Sequence, residues 1–168
     1  RAAVRATGAQ RPAQAGPAGP GATRDFQALG RPGRQRSRPR SGGAAAECAL
    51  ILADTSVWVE HLRTGLPRLA ALLLEGEVLS HPWVIGEIAC GHLRNRREVI
   101  QLLQNLPAAT EASSAELLLL IERHQLMGRG IGWVDVHLLA SAKLSGCSLW
   151  TLDRRLAVIA REQGLMEG

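Results

Sequence analysis

Apolar positions in this chain change period at one point. Ala49-Leu50-Ile51-Leu52-Ala53 is an unbroken apolar run that stops at Asp54, Thr55 and Ser56 and resumes with helical spacing at Val57, Val59 and Leu62. A buried strand feeding a helix gives that pattern, with Asp54 at the junction. Strand ends and helix starts meet at one edge of an open α/β sheet, so a carboxylate there faces a crevice. Downstream the same alternation repeats. Pro67 suits a helix first turn, and Leu69, Leu72, Leu73 and Leu74 form its apolar face until Glu75-Gly76. Glu77–Ser80 reads as a second strand closed by His81-Pro82, because a residue before proline prefers extended geometry.

Pro82 opens a helix reaching Leu93, in which Glu87 is the only acid. Val99, Ile100, Leu102, Leu103 and Leu106 mark another, stopped by Pro107, with a short strand expected around Ala108–Ala112. Ser114 is expected to cap an apolar helix from Ala115 to Leu126, which Gly128-Arg129-Gly130-Ile131-Gly132 breaks. Gly132–Lys143 follows as a helix whose Ala140, Ser141, Ala142 and Ser145 permit close approach to a sheet. Cys147–Thr151 is a last strand and Arg154–Arg161 a closing helix. Alternating strands and helices imply an α/β fold with a mostly parallel sheet.

Composition divides the chain. Residues 1–46 hold nine arginines and one aspartate, whereas residues 47–168 hold 11 basic and 14 acidic groups and carry a net −3. The basic character belongs to the leader, so it gives no argument for nucleic-acid binding by the remainder. Residues 1–47, rich in Arg, Ala, Gly and Pro, bury too little apolar surface to order and are expected to be disordered. They read as a targeting peptide, as an RNA-binding arm, or as the product of a mis-assigned start in GC-rich DNA, the last being favoured. Residues 48–168 suffice for one folded domain. The longest apolar run, Leu117–Ile121, is far too short to cross a membrane. Cys48, Cys90 and Cys147 lack metal-type spacing and suggest a reducing compartment.

Four acids share one description: Asp54 after the first strand, Glu87 on the helix after the second, Asp135 in a helix first turn, and Asp153 after the last strand. A parallel topology sends all four to one edge. At an effective dielectric near 20, two charges about 4 Å apart repel by roughly 4 kcal/mol, so such a cluster holds protons or cations. Oxygen-only ligands select Mg²⁺ or Mn²⁺, which suits phosphodiester chemistry. The competing explanation is capping: Asp54, Asp135 and Asp153 all occupy helix starts, where a carboxylate contributes about 0.3–1 kcal/mol. Glu87, in mid-helix, gains little that way.

Ile51-Leu52-Ala53-Asp54-Thr55-Ser56-Val57-Trp58, Pro82–Glu87 with Gly91, Gly132–Ala142 around Asp135, and Leu149–Leu156 around Asp153 together resemble the PIN-domain ribonucleases, most closely the VapC toxins of bacterial toxin–antitoxin pairs. The likeness covers roughly residues 49–166. It implies a three-layer α/β/α sandwich with a short, mostly parallel sheet and a Mg²⁺- or Mn²⁺-dependent endoribonuclease site. It also implies catalytic and metal-binding roles for Asp54, Glu87, Asp135 and Asp153, with Thr55 and Thr151 as supporting hydroxyls. A homodimer, a structured RNA substrate of the tRNA or ribosomal class, a small VapB-like antitoxin over the active-site groove and a bacterial cytoplasmic location follow from it. The leader has no counterpart in that pattern.

Other features weigh less. His61, His81, His92, His124 and His137 have no zinc-type spacing, and His137 lies about 200° around the helix from Asp135. Trp58, Trp83, Trp133 and Trp150 are the domain's only aromatic stacking residues, and three of them are expected to plug the core or a dimer surface. Arg94, Arg96 and Arg97 are the RNA-phosphate candidates, against a merely solvated helix start. Two rival readings are a haloacid-dehalogenase-like phosphatase, which needs an acid where Ser56 stands, and a catalytically silent binding module whose acids only cap helices.

Overall fold

The computed structural model describes residues 50–166, so the leader lies outside the described residues. The elements are β1 (Ile51–Ala53), α1 (Thr55–Thr64), α2 (Pro67–Glu75), β2 (Val78–Leu79), α3 (Pro82–Cys90), α4 (Arg96–Asn105), α5 (Ser114–Arg123), α6 (Trp133–Ser145), β3 (Ser148–Trp150) and α7 (Arg154–Glu162). Each expected helix forms, with ends moved by at most three residues. α3 and α5 each end three residues before their expected ends, and α5 starts a residue early because Ser113 is the cap: its Oγ and backbone N–H form a capping box with Glu116.

The sheet is parallel throughout, in the order β2-β1-β3, with Leu52 opposite both Leu79 and Leu149. β1 is the central strand, and all three of its residues are buried, as an unbroken apolar run at the middle of a parallel sheet requires. The strand expected near Ala108 is reduced to a single parallel bridge from Ala108 to Ser80. Pro107 lacks an N–H, but its carbonyl still accepts from Ser80 N at 2.8 Å.

Helix α6 is buried continuously from Val136 to Ala142. Burial around its whole circumference explains the small residues Ala140, Ser141 and Ala142, because α5 and α3 pack against it and its C-terminus leads into β3. His81, fully buried at the end of β2, ties this helix to the sheet edge: its Nδ1 accepts from Trp83 N at 3.2 Å, so Nε2 carries the hydrogen and donates to Ser141 Oγ at 2.9 Å. Because the strands are parallel, their C-terminal ends deliver Asp54, the Ser80-His81-Pro82 turn and Thr151-Leu152-Asp153 to the same edge. No helix among the described residues is long and apolar enough to cross a membrane.

Candidate active site

Asp54 stands at the N-cap of α1, yet its side chain makes no capping bond. Only 6% exposed, it turns instead toward β3. Its Oδ2 accepts from Ser56 Oγ at 2.6 Å and from Thr151 Oγ1 at 2.8 Å. Each hydroxyl in turn accepts a backbone N–H of the loop after β3, Leu152 N on Ser56 at 3.0 Å and Asp153 N on Thr151 at 3.0 Å. One oxygen of Asp54 is thereby saturated, while Oδ1 takes no hydrogen bond among the described residues.

The other three acids are held differently. Glu87, exposed on α3, accepts at Oε2 from Thr55 Oγ1 at 2.5 Å, which ties the second acid to the residue after the first. Asp135, half-buried in the first turn of α6, accepts at Oδ2 from Gly132 N at 2.7 Å. Asp153 behaves as an ordinary cap: its Oδ1 accepts from Arg155 N at 2.7 Å and Leu156 N at 3.0 Å. Capping therefore accounts for one oxygen of Asp153 and of Asp135, and for neither oxygen of Asp54.

Electrostatics link the four. Burial raises the pKa of Asp135 most; the Gly132 N–H pulls the other way, and the charges of Asp54, Asp153 and Glu87 then push it up further. Three acids from three separate elements thus lie within electrostatic reach of Asp135, as the parallel topology requires. No three acidic, histidine or cysteine side chains among the described residues converge on one ion-sized position. Mg²⁺ keeps several waters and takes only one or two carboxylates directly, so the fit to such an ion rests on donor chemistry and not on a preformed cage. The all-oxygen donor set fits that ion, with Asp54 and Asp135 as the buried and half-buried donors.

A family model described as the PIN domain matches residues 51–162. Ribonuclease VapC32 of Mycobacterium tuberculosis, from strain CDC 1551 / Oshkosh and from strain ATCC 25618 / H37Rv, is 45% identical over 117 residues, covering 69% of this chain and 94% of the relative. The chain belongs to the VapC family of PIN-domain ribonucleases. Its described fold is the three-layer α/β/α sandwich expected of that family.

Within this VapC-family chain, a further hydroxyl contacts Asp54 beside that of Thr151. Ser56 belongs to the motif that carries the resemblance but has no expected role at the site, yet it bridges Asp54 and the β3–α7 loop. Its signal was the two-residue spacing from Asp54, which favours a local side-chain bond. The arginines are less tightly gathered: Arg94, Arg96 and Arg97 are exposed around the start of α4, and Arg96 Nε donates to Ala89 O at 3.0 Å. Arg96 and Arg97 help line an open depression of about 430 Å³ with Asn95, Glu98 and Gln101.

His137 does face away from Asp135, with its ring 4.8 Å from Trp83 and 5.2 Å from Trp133. Of the tryptophans, Trp58 is in the core, while Trp83 and Trp133 remain about 40% exposed.

Proposed function

We propose that this chain is the toxic endoribonuclease of a toxin–antitoxin pair, hydrolysing phosphodiester bonds in structured RNA of the tRNA or ribosomal class with Mg²⁺ or Mn²⁺. The observation that carries the reading is the combined push of Asp54, Asp153 and Glu87 on the half-buried Asp135. Among the described residues no basic side chain offsets the charges on Asp135, and a bound cation would relieve that repulsion. The relationship to Ribonuclease VapC32 supports RNA as the substrate.

A bound divalent ion would supply an activated water and neutralise charge building on the phosphate. The chain's own contribution is positional. Ser56 and Thr151 fix one oxygen of Asp54, and its other oxygen would be available to hold the ion. Thr55 holds Glu87, and the Gly132 N–H holds Asp135. Arg94, Arg96 and Arg97, exposed around the start of α4, are proposed as phosphate contacts.

A VapB-like antitoxin is the proposed partner, and an apolar cleft of about 310 Å³ between α1, α2 and α4 offers it hydrocarbon contact, lined by Trp58, Leu62, Leu73, Leu102 and Leu106 among others. Leu102 is 60% exposed and Leu62 39%. We further propose a homodimer, to which the exposed Leu118 and Leu119 of α5 offer apolar surface.

Incubating total RNA with the purified chain, with Mn²⁺ and with EDTA, beside Asp54→Ala, tests the reading. Discrete cleavage products are expected only for wild type with metal. Equal cleavage by Asp54→Ala would overturn it, and no cleavage together with no Mn²⁺ uptake would favour the silent binding module.

A further inference from the structure

The loop between α5 and α6 is strapped along α7. The Arg129 guanidinium makes paired bonds to Glu162, the last residue of α7, at 2.5 and 2.9 Å. One residue later, Gly130 O accepts from Arg155 Nη1 at 3.3 Å, in the first turn of the same helix. Gly130 has φ +75°, and a Cβ there would stand 2.9 Å from Arg155 Nη1 and 3.0 Å from its Cδ. The arginine therefore lies close against the backbone of a glycine whose positive φ favours glycine there. Two residues further on, Gly132 N donates to Asp135 Oδ2.

Arg155 also acts through its main chain, since its N–H donates to Asp153 Oδ1 at 2.7 Å. A single residue thus holds one carboxylate by its backbone and, by its side chain, the loop that holds another. We propose that Arg155 is a positioning residue that sets the gap between Asp135 and Asp153, with the Arg129–Glu162 pair anchoring the other end of the strap. This rests on the proposed carboxylate metal site. A plain surface arginine would only add positive charge near the acids, and its neighbour Arg154 supplies the same charge as a control.

The test uses the full chain and reads two quantities: amide hydrogen exchange at Gly132 in the metal-free protein, and Mn²⁺ affinity by titration calorimetry. Arg155 is exposed, so Arg155→Ala should fold and melt within about 3 °C of wild type. Gly132 exchange should then quicken at least about threefold, because the loop's local opening becomes easier. Mn²⁺ binding should weaken roughly three- to tenfold, less than the 10–100-fold typical of groups bonded directly to a ligand.

Arg154→Ala should match wild type in both. Wild-type exchange and affinity in Arg155→Ala would overturn the strap, and an Arg154→Ala loss equal to that of Arg155→Ala would reduce it to bulk charge. Asp135→Asn separates the two readings: if it leaves Mn²⁺ uptake unchanged, the metal site falls, while Gly132 exchange still decides whether Arg155 holds the loop.

Discussion

Ser56 and Thr151, 95 positions apart in sequence, donate to the same oxygen of Asp54. Each also accepts a backbone N–H from the β3–α7 loop, so the carboxylate and the loop are held by one pair of hydroxyls. Removing either leaves a backbone donor short of a partner and the carboxylate free to rotate. Ser56→Ala and Thr151→Val should each lower Mn²⁺ affinity and RNA cleavage by about 10–100-fold, the range for groups that orient a metal ligand. Single-turnover cleavage and calorimetry measure the two effects, and wild-type values for both variants would show that Asp54 needs no such support.

Asp135→Asn should abolish cleavage and raise the melting temperature of the metal-free protein. Burial and the neighbouring acids raise the pKa of Asp135, so its ionised form opposes folding. The opposition is absent below the ordinary value of 3.8, grows as pH rises through the folded-state pKa and is full above it. The stabilising effect of Asp135→Asn should therefore appear near neutrality and vanish in strong acid. Thermal melts in EDTA across that range check the sign, and Mn²⁺ should favour wild type instead.

His81 sets a second pH dependence with the opposite sense. Burial, then the nearby His137, lowers its pKa to about 4 from 6.5. Above pH 6.5 the group is neutral in both states; as pH falls from 6.5 to about 4 the unfolded chain takes up a proton that the folded one refuses. Stability should fall by up to about 3 kcal/mol over that window, at about 1.4 kcal/mol per pH unit. Urea unfolding at pH 7 and pH 4.5 measures the slope, and His81→Gln should flatten it.

Ser113→Ala should destabilise the domain by about 1 kcal/mol, the usual loss of an N-cap. Ser114→Ala, one residue into the helix, should be close to neutral. Chemical denaturation distinguishes them, and the reverse order would contradict the capping box with Glu116.

Leu102→Glu places a charge on the exposed rim of the α1/α2/α4 cleft. An antitoxin segment docking there should lose at least tenfold in affinity, while RNA cleavage by the free chain stays unchanged. Binding of the cognate antitoxin to both forms, measured by calorimetry, decides it; equal affinities would move the docking surface elsewhere.

The elements that pack strongly were legible in the sequence. Ile51–Ala53 is continuously apolar because it is the sheet's central strand, and Pro67, Pro82 and Pro107 mark element boundaries as their fixed backbones demand. Strand–helix alternation agrees with Asp54, Glu87 and Asp153 lying within electrostatic reach of Asp135. What the chain did not disclose is how each acid is held. Whether an aspartate at a helix start caps that helix, as Asp153 does, or swings to a distant hydroxyl, as Asp54 does, depends on contacts across the sheet. Local pattern carries no record of such contacts. The same limit hid Ser56, whose second partner, Leu152, is 96 residues away.

The first strand lies between the second and the last, and Asp54 is fixed by Thr151, near the far end of the domain. During synthesis, the leading carboxylate has only Ser56 to hold it until nearly the whole domain, Thr151 included, has been made. A nascent chain halted in α6 carries Asp54, Glu87 and Asp135 but lacks the strand that locks the first of them. The last support of Asp54 therefore comes from the strand made last, so the site is completed at the end of the domain's synthesis.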